Sequence, residues 1–138
     1  MKAETVFVDT NLFLRYLTND VPAQADAVEE LLQRAEQNKV SLITNGMVLA
    51  EIVWTLESYY GLERSDIQNK VMAILNTPGL EIPESSLILK SVVWYAEKNV
   101  DFIDAYNAAW MGEMGIEKIY TFDQKHFARF DDVEVLKP

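Results

Sequence analysis

Apolar residues fall in short blocks along the chain, and the period within the blocks alternates. "TVFV", residues 5–8, is an unbroken β-branched and aromatic run, which predicts a short buried strand. "TNLFLRYLT", 10–18, continues at helical spacing. "PAQADAVEELLQRAEQN", 22–38, has a proline in its first turn and Ala25, Val28, Leu31, Leu32 and Ala35 on one stripe, an amphipathic helix. "VSLIT", 40–44, predicts a second strand. "GMVLAEIVWTLESYY", 46–60, predicts a helix stopped by Gly61, and "ERSDIQNKVMAILNTPG", 63–79, another stopped by Pro78-Gly79. A short strand "LEI", 80–82, precedes two further helices, "ESSLILKSVVWYAEKN" over 84–99 and "NVDFIDAYNAAWMGEMG" over 99–115. "KIYTFD", 118–123, and "VEVL", 133–136, close the chain as strands. Strands alternating with helices imply right-handed βαβ units and a mostly parallel central sheet covered on both faces. The expected class is therefore α/β, a three-layer α/β/α arrangement. No repeat, linker or low-complexity segment divides residues 1–138, so a single domain is expected.

The composition narrows the class of function. The 138 residues are 49% hydrophobic and 25% charged, the balance of an ordinary globule with enough chain to bury a core. There is no cysteine, which excludes disulfides and thiolate metal sites and fits a cytoplasmic protein. The start "MKAETVFVD" meets an acid by residue 4, and no apolar run is long enough for a membrane span, so neither a leader nor a membrane anchor is expected. Twenty-two acids against twelve bases give a net charge of −10, which argues against a basic nucleic-acid glove. It is compatible with an acidic surface or an acid-lined metal site, and only the placement of the acids separates these.

Asp9 ends the first predicted strand and Asp123 the "KIYTF" strand, and ligands of such sheets bind beyond the carboxyl ends of strands. Aspartate is also a favoured helix N-cap, so either residue alone is equally a cap. Glu51 is the only charge in "MVLAEIVWTL", with Met47, Val48, Trp54 and Thr55 at helical spacing around it. A carboxylate buried there would need a cation or a salt bridge. Asp101 and Asp104 have the spacing of an N-cap and N3 pair, which accounts for Asp101 better than for Asp104, whose neighbours are Phe102, Ile103, Ala105 and Ala108. The single histidine, His126 in "KHF", reads as part of a surface turn rather than a ligand or base. Four acids on four elements, Asp9, Glu51, Asp104 and Asp123, offer the oxygen donors that Mg²⁺ or Mn²⁺ prefers, with no His or Cys cluster to suggest zinc. Such a site activates water and offsets charge on a phosphodiester.

These blocks, in this order, resemble the PIN-domain family, and within it the ribonuclease toxins of VapC-type toxin–antitoxin pairs. "FVDTNLFLRYL" resembles the family's opening strand and acid, "VLAEIVWTLESYYG" its glutamate helix, "VDFIDAYNAA" its third-acid helix and "IYTFDQKHF" its closing strand and acid. The resemblance implies a Mg²⁺- or Mn²⁺-dependent endoribonuclease with Asp9, Glu51, Asp104 and Asp123 as metal-binding and catalytic acids. Thr10, Asn11 and Thr121 would be their polar neighbours and Asp101 an accessory acid. It also implies a homodimer, an RNA substrate and a small antitoxin whose tail fills the site and whose other end binds operator DNA, so that DNA is met only through the antitoxin.

Other readings fit less well. A haloacid-dehalogenase-type phosphotransferase resembles D-x-D after the first strand, and position 11 is Asn. A phospho-receiver domain needs an acid pair near that strand and a lysine ending a late one, whereas Lys118 begins its strand. A non-catalytic PIN-like binding module, or a stand-alone PIN nuclease of RNA processing, keeps the fold; loss of the acids would mark the former. Arg15, Lys125 and Arg129 follow the strand-end acids and are the candidate contacts to RNA phosphates. Trp54, Tyr59 and Tyr60 are candidate anchors for a partner, with core packing the alternative for Trp54.

Overall fold

A computed structural model describes residues 4–138. Its contacts cluster into two compact units, one ending at Ser85 and one spanning Ser86–Pro138.

The first unit contains β1 (Thr5–Phe7), α1 (Thr10–Thr18), α2 (Pro22–Glu36), β2 (Ser41–Ile43), α3 (Gly46–Ser58), α4 (Arg64–Leu75) and β3 (Leu80–Glu81). The strands form a parallel sheet in the order β1-β2-β3, with Val6 opposite Leu42 and Leu42 opposite Leu80. Parallel neighbours need a crossover between them, which α1 with α2, and then α3 with α4, provide. The stripe expected on α2 is buried at Ala25, Val28 and Ala35, while Leu31 and Leu32 are half-buried. On α3 and α4, Leu49, Ile52, Leu56, Ile67 and Val71 are fully buried, each contributing about 1.5–3 kcal/mol of apolar transfer.

The expectation that residues 5–8 form a buried strand is corrected. Only Val8 is buried, and Phe7 is 53% exposed. β1 is the outer strand of its three-stranded sheet, and an unbroken apolar run cannot distinguish that place from a central one. Beyond β1, the buried Thr44 hydroxyl donates to the Val8 carbonyl at 2.8 Å and ties together the ends of β1 and β2. Gly79, which turns the chain into β3, has φ +79°, and a Cβ there would lie 2.5 Å from the carbonyl oxygen of Ala35. Both the backbone sign and the close approach to α2 require glycine.

The second unit contains most of α5 (Ser85–Lys98), then α6 (Phe102–Met114), β4 (Lys118–Tyr120), α7 (Gln124–Phe127) and β5 (Glu134–Leu136). α5 buries Leu87, Ile88, Val92 and Tyr95, and α6 buries Phe102, Ala105, Ala108, Ala109 and Met111. β4 and β5 pair in parallel, Ile119 opposite Val135. The intervening crossover holds α7, a single turn that the sequence reading left as a surface turn.

Three helices start on an Asx side chain directly after a strand. Asp9 accepts from the Leu12 N–H at 3.4 Å, Asn45 from the Val48 N–H at 3.1 Å and Asp123 from the His126 N–H at 3.2 Å. The capping reading of Asp9 and Asp123 is therefore correct as far as it goes. Asp101 occupies the N-cap position of α6 in extended backbone, but its side chain makes no capping hydrogen bond, so the predicted Asp101–Asp104 capping pair does not form.

Candidate metal centre

β4 and its short crossover set the centre's geometry. The chain leaves β4 at Tyr120, and the Thr121 hydroxyl accepts a hydrogen bond from the Asp123 N–H at 3.0 Å, which fixes the turn. Asp123 then caps α7 through Oδ1, and its Oδ2 lies 2.8 Å from His126 Nδ1. An ionised Asp123 accepts this hydrogen bond, which places an imidazole proton on Nδ1. From α6, Asp104 completes the group. Asp104, Asp123 and His126 each offer a ligand atom, and these atoms all lie within 4.8 Å of one another. Among the described residues this is the one such group of three or more acid or histidine side chains.

The electrostatics of the two acids differ. The imidazole and the backbone N–H of His126 hold the Asp123 carboxyl below its ordinary value. Partial burial pushes the Asp104 carboxyl up, and the negative charges of Asp101 and Asp123 push it further, with His126 opposing. One carboxylate is thus held ionised beside a second whose ionisation is resisted. A divalent cation would remove that conflict. Two carboxylates suit Mg²⁺ or Mn²⁺, with His126 holding Asp123 in place from behind through Nδ1.

The remaining candidates sort by unit. Asp9 and Glu51 belong to the first unit and are not members of the group. The inference that Glu51 is buried is corrected: Glu51 is exposed, on a face of α3 where Met47 is 79% and Trp54 66% exposed. Of its neighbours Met47, Val48, Trp54 and Thr55, Val48 is buried and Thr55 half-buried, while Met47 and Trp54 face outward as the glutamate does. Core packing is therefore not the reason for Trp54. Thr10 is buried and Asn11 exposed. Arg15 is bound to Asp20 at 3.0 Å, Lys125 is exposed, and Arg129 donates to the carbonyls of Lys98 and Asn99.

His126 is the residue that the sequence reading set aside. The available signal was its spacing: a histidine three residues after a strand-end aspartate returns to that aspartate as soon as one helical turn forms.

A family model described as the PIN domain matches residues 6–133. The chain is also similar to a VapC ribonuclease of Aquifex aeolicus (strain VF5), 25% identical over 118 residues that cover 86% of this chain and 87% of that protein. No helix among the described residues is long and apolar enough to cross a membrane.

Proposed function

The chain belongs to the PIN-domain family, and from that premise we propose that it is a divalent-metal-dependent endoribonuclease, the toxin of a two-protein toxin–antitoxin pair. The observation that carries the reading is the convergence of Asp104, Asp123 and His126, and the similarity to a VapC ribonuclease supports it. Asp104 and Asp123 would hold Mg²⁺ or Mn²⁺, with His126 orienting Asp123. When bound, the ion supplies a water of lowered pKa and offsets charge on the phosphodiester. Thr121 keeps the Asp123 turn in place, and Asp101 adds negative charge beside Asp104. Asp9 and Glu51 are proposed to contribute as further acids on the strength of the sequence resemblance, with Thr10 and Asn11 as polar neighbours. Lys125, beside Asp123 in sequence and exposed, is the phosphate contact best placed to act; Arg15 and Arg129 would first have to leave their present partners.

The partner is proposed to be a small antitoxin with an apolar anchor and a basic side chain near its tail, since a cation can neutralise the acid cluster as a metal would. An acidic toxin surface also speeds capture of a basic tail. The active form is proposed to be a homodimer, with operator DNA bound only through the antitoxin. The test is RNA cleavage by the purified chain in EDTA, Mg²⁺ and Mn²⁺. Cleavage restored by either ion, and absent in Asp104→Asn, supports the reading. Cleavage that persists in EDTA, or in Asp104→Asn and Asp123→Asn alike, rejects the metal-dependent site.

A further inference from the structure

Lys90, Trp94 and Lys98 occupy positions i, i+4 and i+8 of α5, so a tryptophan is flanked along one helical row by two lysines. The Lys90 ammonium lies 4.6 Å from the indole centroid and that of Lys98 6.0 Å from it. Neither lysine forms an ion pair among the described residues; Lys98 donates to the Arg129 carbonyl at 3.2 Å, and Lys90 is exposed. Arg15, Arg64 and Lys118, by contrast, are each paired with a carboxylate.

This row lines a cavity of about 230 Å³ together with Gly112 of α6, Phe130, Asp131 and Asp132. The lysines and aspartates line one space without closing into a salt bridge. Phe130 lies at a tilt against the Trp94 ring, with centroids 5.2 Å apart. Intramolecular cation–π contacts explain part of this, at about 0.5–1 kcal/mol each where exposed. They leave both ammonium groups without a carboxylate partner among the described residues, although two aspartates line the same space.

We infer that this cavity is a nucleotide subsite for single-stranded RNA, with a phosphate between Lys90 and Lys98, a base against Trp94, and Asp131 or Asp132 accepting from a ribose hydroxyl or a base amino group. The inference rests on the nuclease reading above and adds to it a contact outside the acid cluster. Stacking on an aromatic ring tolerates any base, and a lysine pair meets the backbone without regard to sequence. An acceptor for a 2′-hydroxyl would favour RNA over DNA. The cavity and the acid cluster share α6: Ala108 and Gly112, which line the cavity, lie on the same i, i+4, i+8 row that begins at Asp104. Ala108 lies one turn beyond Asp104, about 6 Å along the axis. A strand engaged at the acids therefore reaches the subsite without a long excursion. The pairing of a cleavage centre with an aromatic–cationic holding point also answers how a chain of net charge −10 retains a polyanion: locally, where two lysines and an aromatic ring line one cavity.

The test is fluorescence anisotropy with a short labelled oligouridylate in EDTA, so that binding is read without cleavage. Lys90→Glu reverses an exposed charge. Gly112→Leu projects a side chain into the cavity and towards the Lys90 ammonium, which would lie 3.9 Å from its Cβ, and it improves helix propensity, so folding is retained. Each is expected to weaken oligouridylate binding about tenfold or more, since stacking on an aromatic contributes about 1–3 kcal/mol per base. Lys90→Glu should in addition flatten the salt dependence of the affinity. Mn²⁺ binding, read by paramagnetic resonance, should be unchanged in both. Wild-type affinity in both variants, with wild-type cleavage intact, overturns the subsite and leaves the nuclease reading standing. A wild-type chain that neither binds nor cleaves RNA overturns both. Loss of antitoxin capture by these variants at unchanged RNA affinity overturns the subsite in favour of a protein contact.

Discussion

Asp20, just past α1 in the first unit, and Asp104, in the first turn of α6 in the second, are pushed in opposite directions by their surroundings. Asp20 accepts from the Tyr60 hydroxyl at 2.7 Å, the Thr18 hydroxyl at 3.0 Å and the Arg15 guanidinium at 3.0 Å. Its carboxyl is held below the ordinary value, with the Tyr60 hydrogen bond as the largest cause. Asp104 instead has burial and the charges of Asp101 and Asp123 against its ionisation, and its carboxyl is pushed up. A carboxylate enclosed by donors has a complete set of partners and ties chain segments together. One surrounded by its own sign of charge has its ionisation resisted, and a cation beside it would relieve that. The difference separates acids that hold the architecture from acids that await a ligand.

The widest separation is expected in activity. Asp104→Asn and Asp123→Asn should each lower RNA cleavage on the order of 10³-fold, the several kcal/mol that a metal-held transition state is worth, with the melting temperature little changed. Cleavage within tenfold of wild type in either would break the comparison. Glu51→Gln, an exposed position without a fold role, tests whether the first unit also supplies chemistry: a large loss of cleavage at unchanged stability supports its proposed part.

An architectural lesion should do the reverse. Gly79→Ala places a side chain at positive φ and against the Ala35 carbonyl, and should destabilise by about 2 kcal/mol or more. Urea midpoints would measure it, while cleavage per folded molecule should stay at the wild-type level. His126→Ala comes next, with Mn²⁺ affinity or cleavage reduced about 10–100-fold, as for other residues that hold a metal ligand from behind.

The smallest effects concern pH in the metal-free chain, and they carry opposite signs. The folded-state pKa of Asp104 is raised, so its contribution to stability is present below the unfolded pKa and is lost as pH rises through the folded one. Asp104→Asn should therefore melt slightly above wild type at neutral pH, with the gain vanishing below about pH 4. The pKa of Asp20 is lowered, so its contribution is present at neutral pH and is lost as pH falls through the folded value. Asp20→Asn should melt below wild type at neutral pH and converge with it in acid. Two shifts of the same sign in paired melting curves would contradict the contrast.

Period and punctuation made the element order legible: each predicted strand and long helix has a counterpart, including the stop at Pro78-Gly79 and the early proline of α2. Exposure was less legible. "TVFV" and "MVLAEIVWTL" are apolar enough to read as buried, yet Phe7, Met47 and Trp54 face outward, because local pattern does not say which strand is outermost or which helix face is left uncovered. Asp104 and Asp123 were legible as an acid among apolar neighbours and an acid at a strand end. Their meeting with His126 was not, because it depends on a four-residue helix too short to leave a periodic signal.

The strand-to-helix turns of this chain amount to an isosteric swap already made by nature. At the end of β1 the capping side chain is an aspartate; at the end of β2, in similarly extended backbone, it is Asn45. An asparagine caps as well as an aspartate, so the turn itself needs only a side-chain oxygen, and a negative charge at 9 is surplus to folding. A variant that isolates that charge can therefore be built by writing the neutral residue of position 45 into position 9. Any loss it shows is then attributable to charge, since the shape is one the chain already uses.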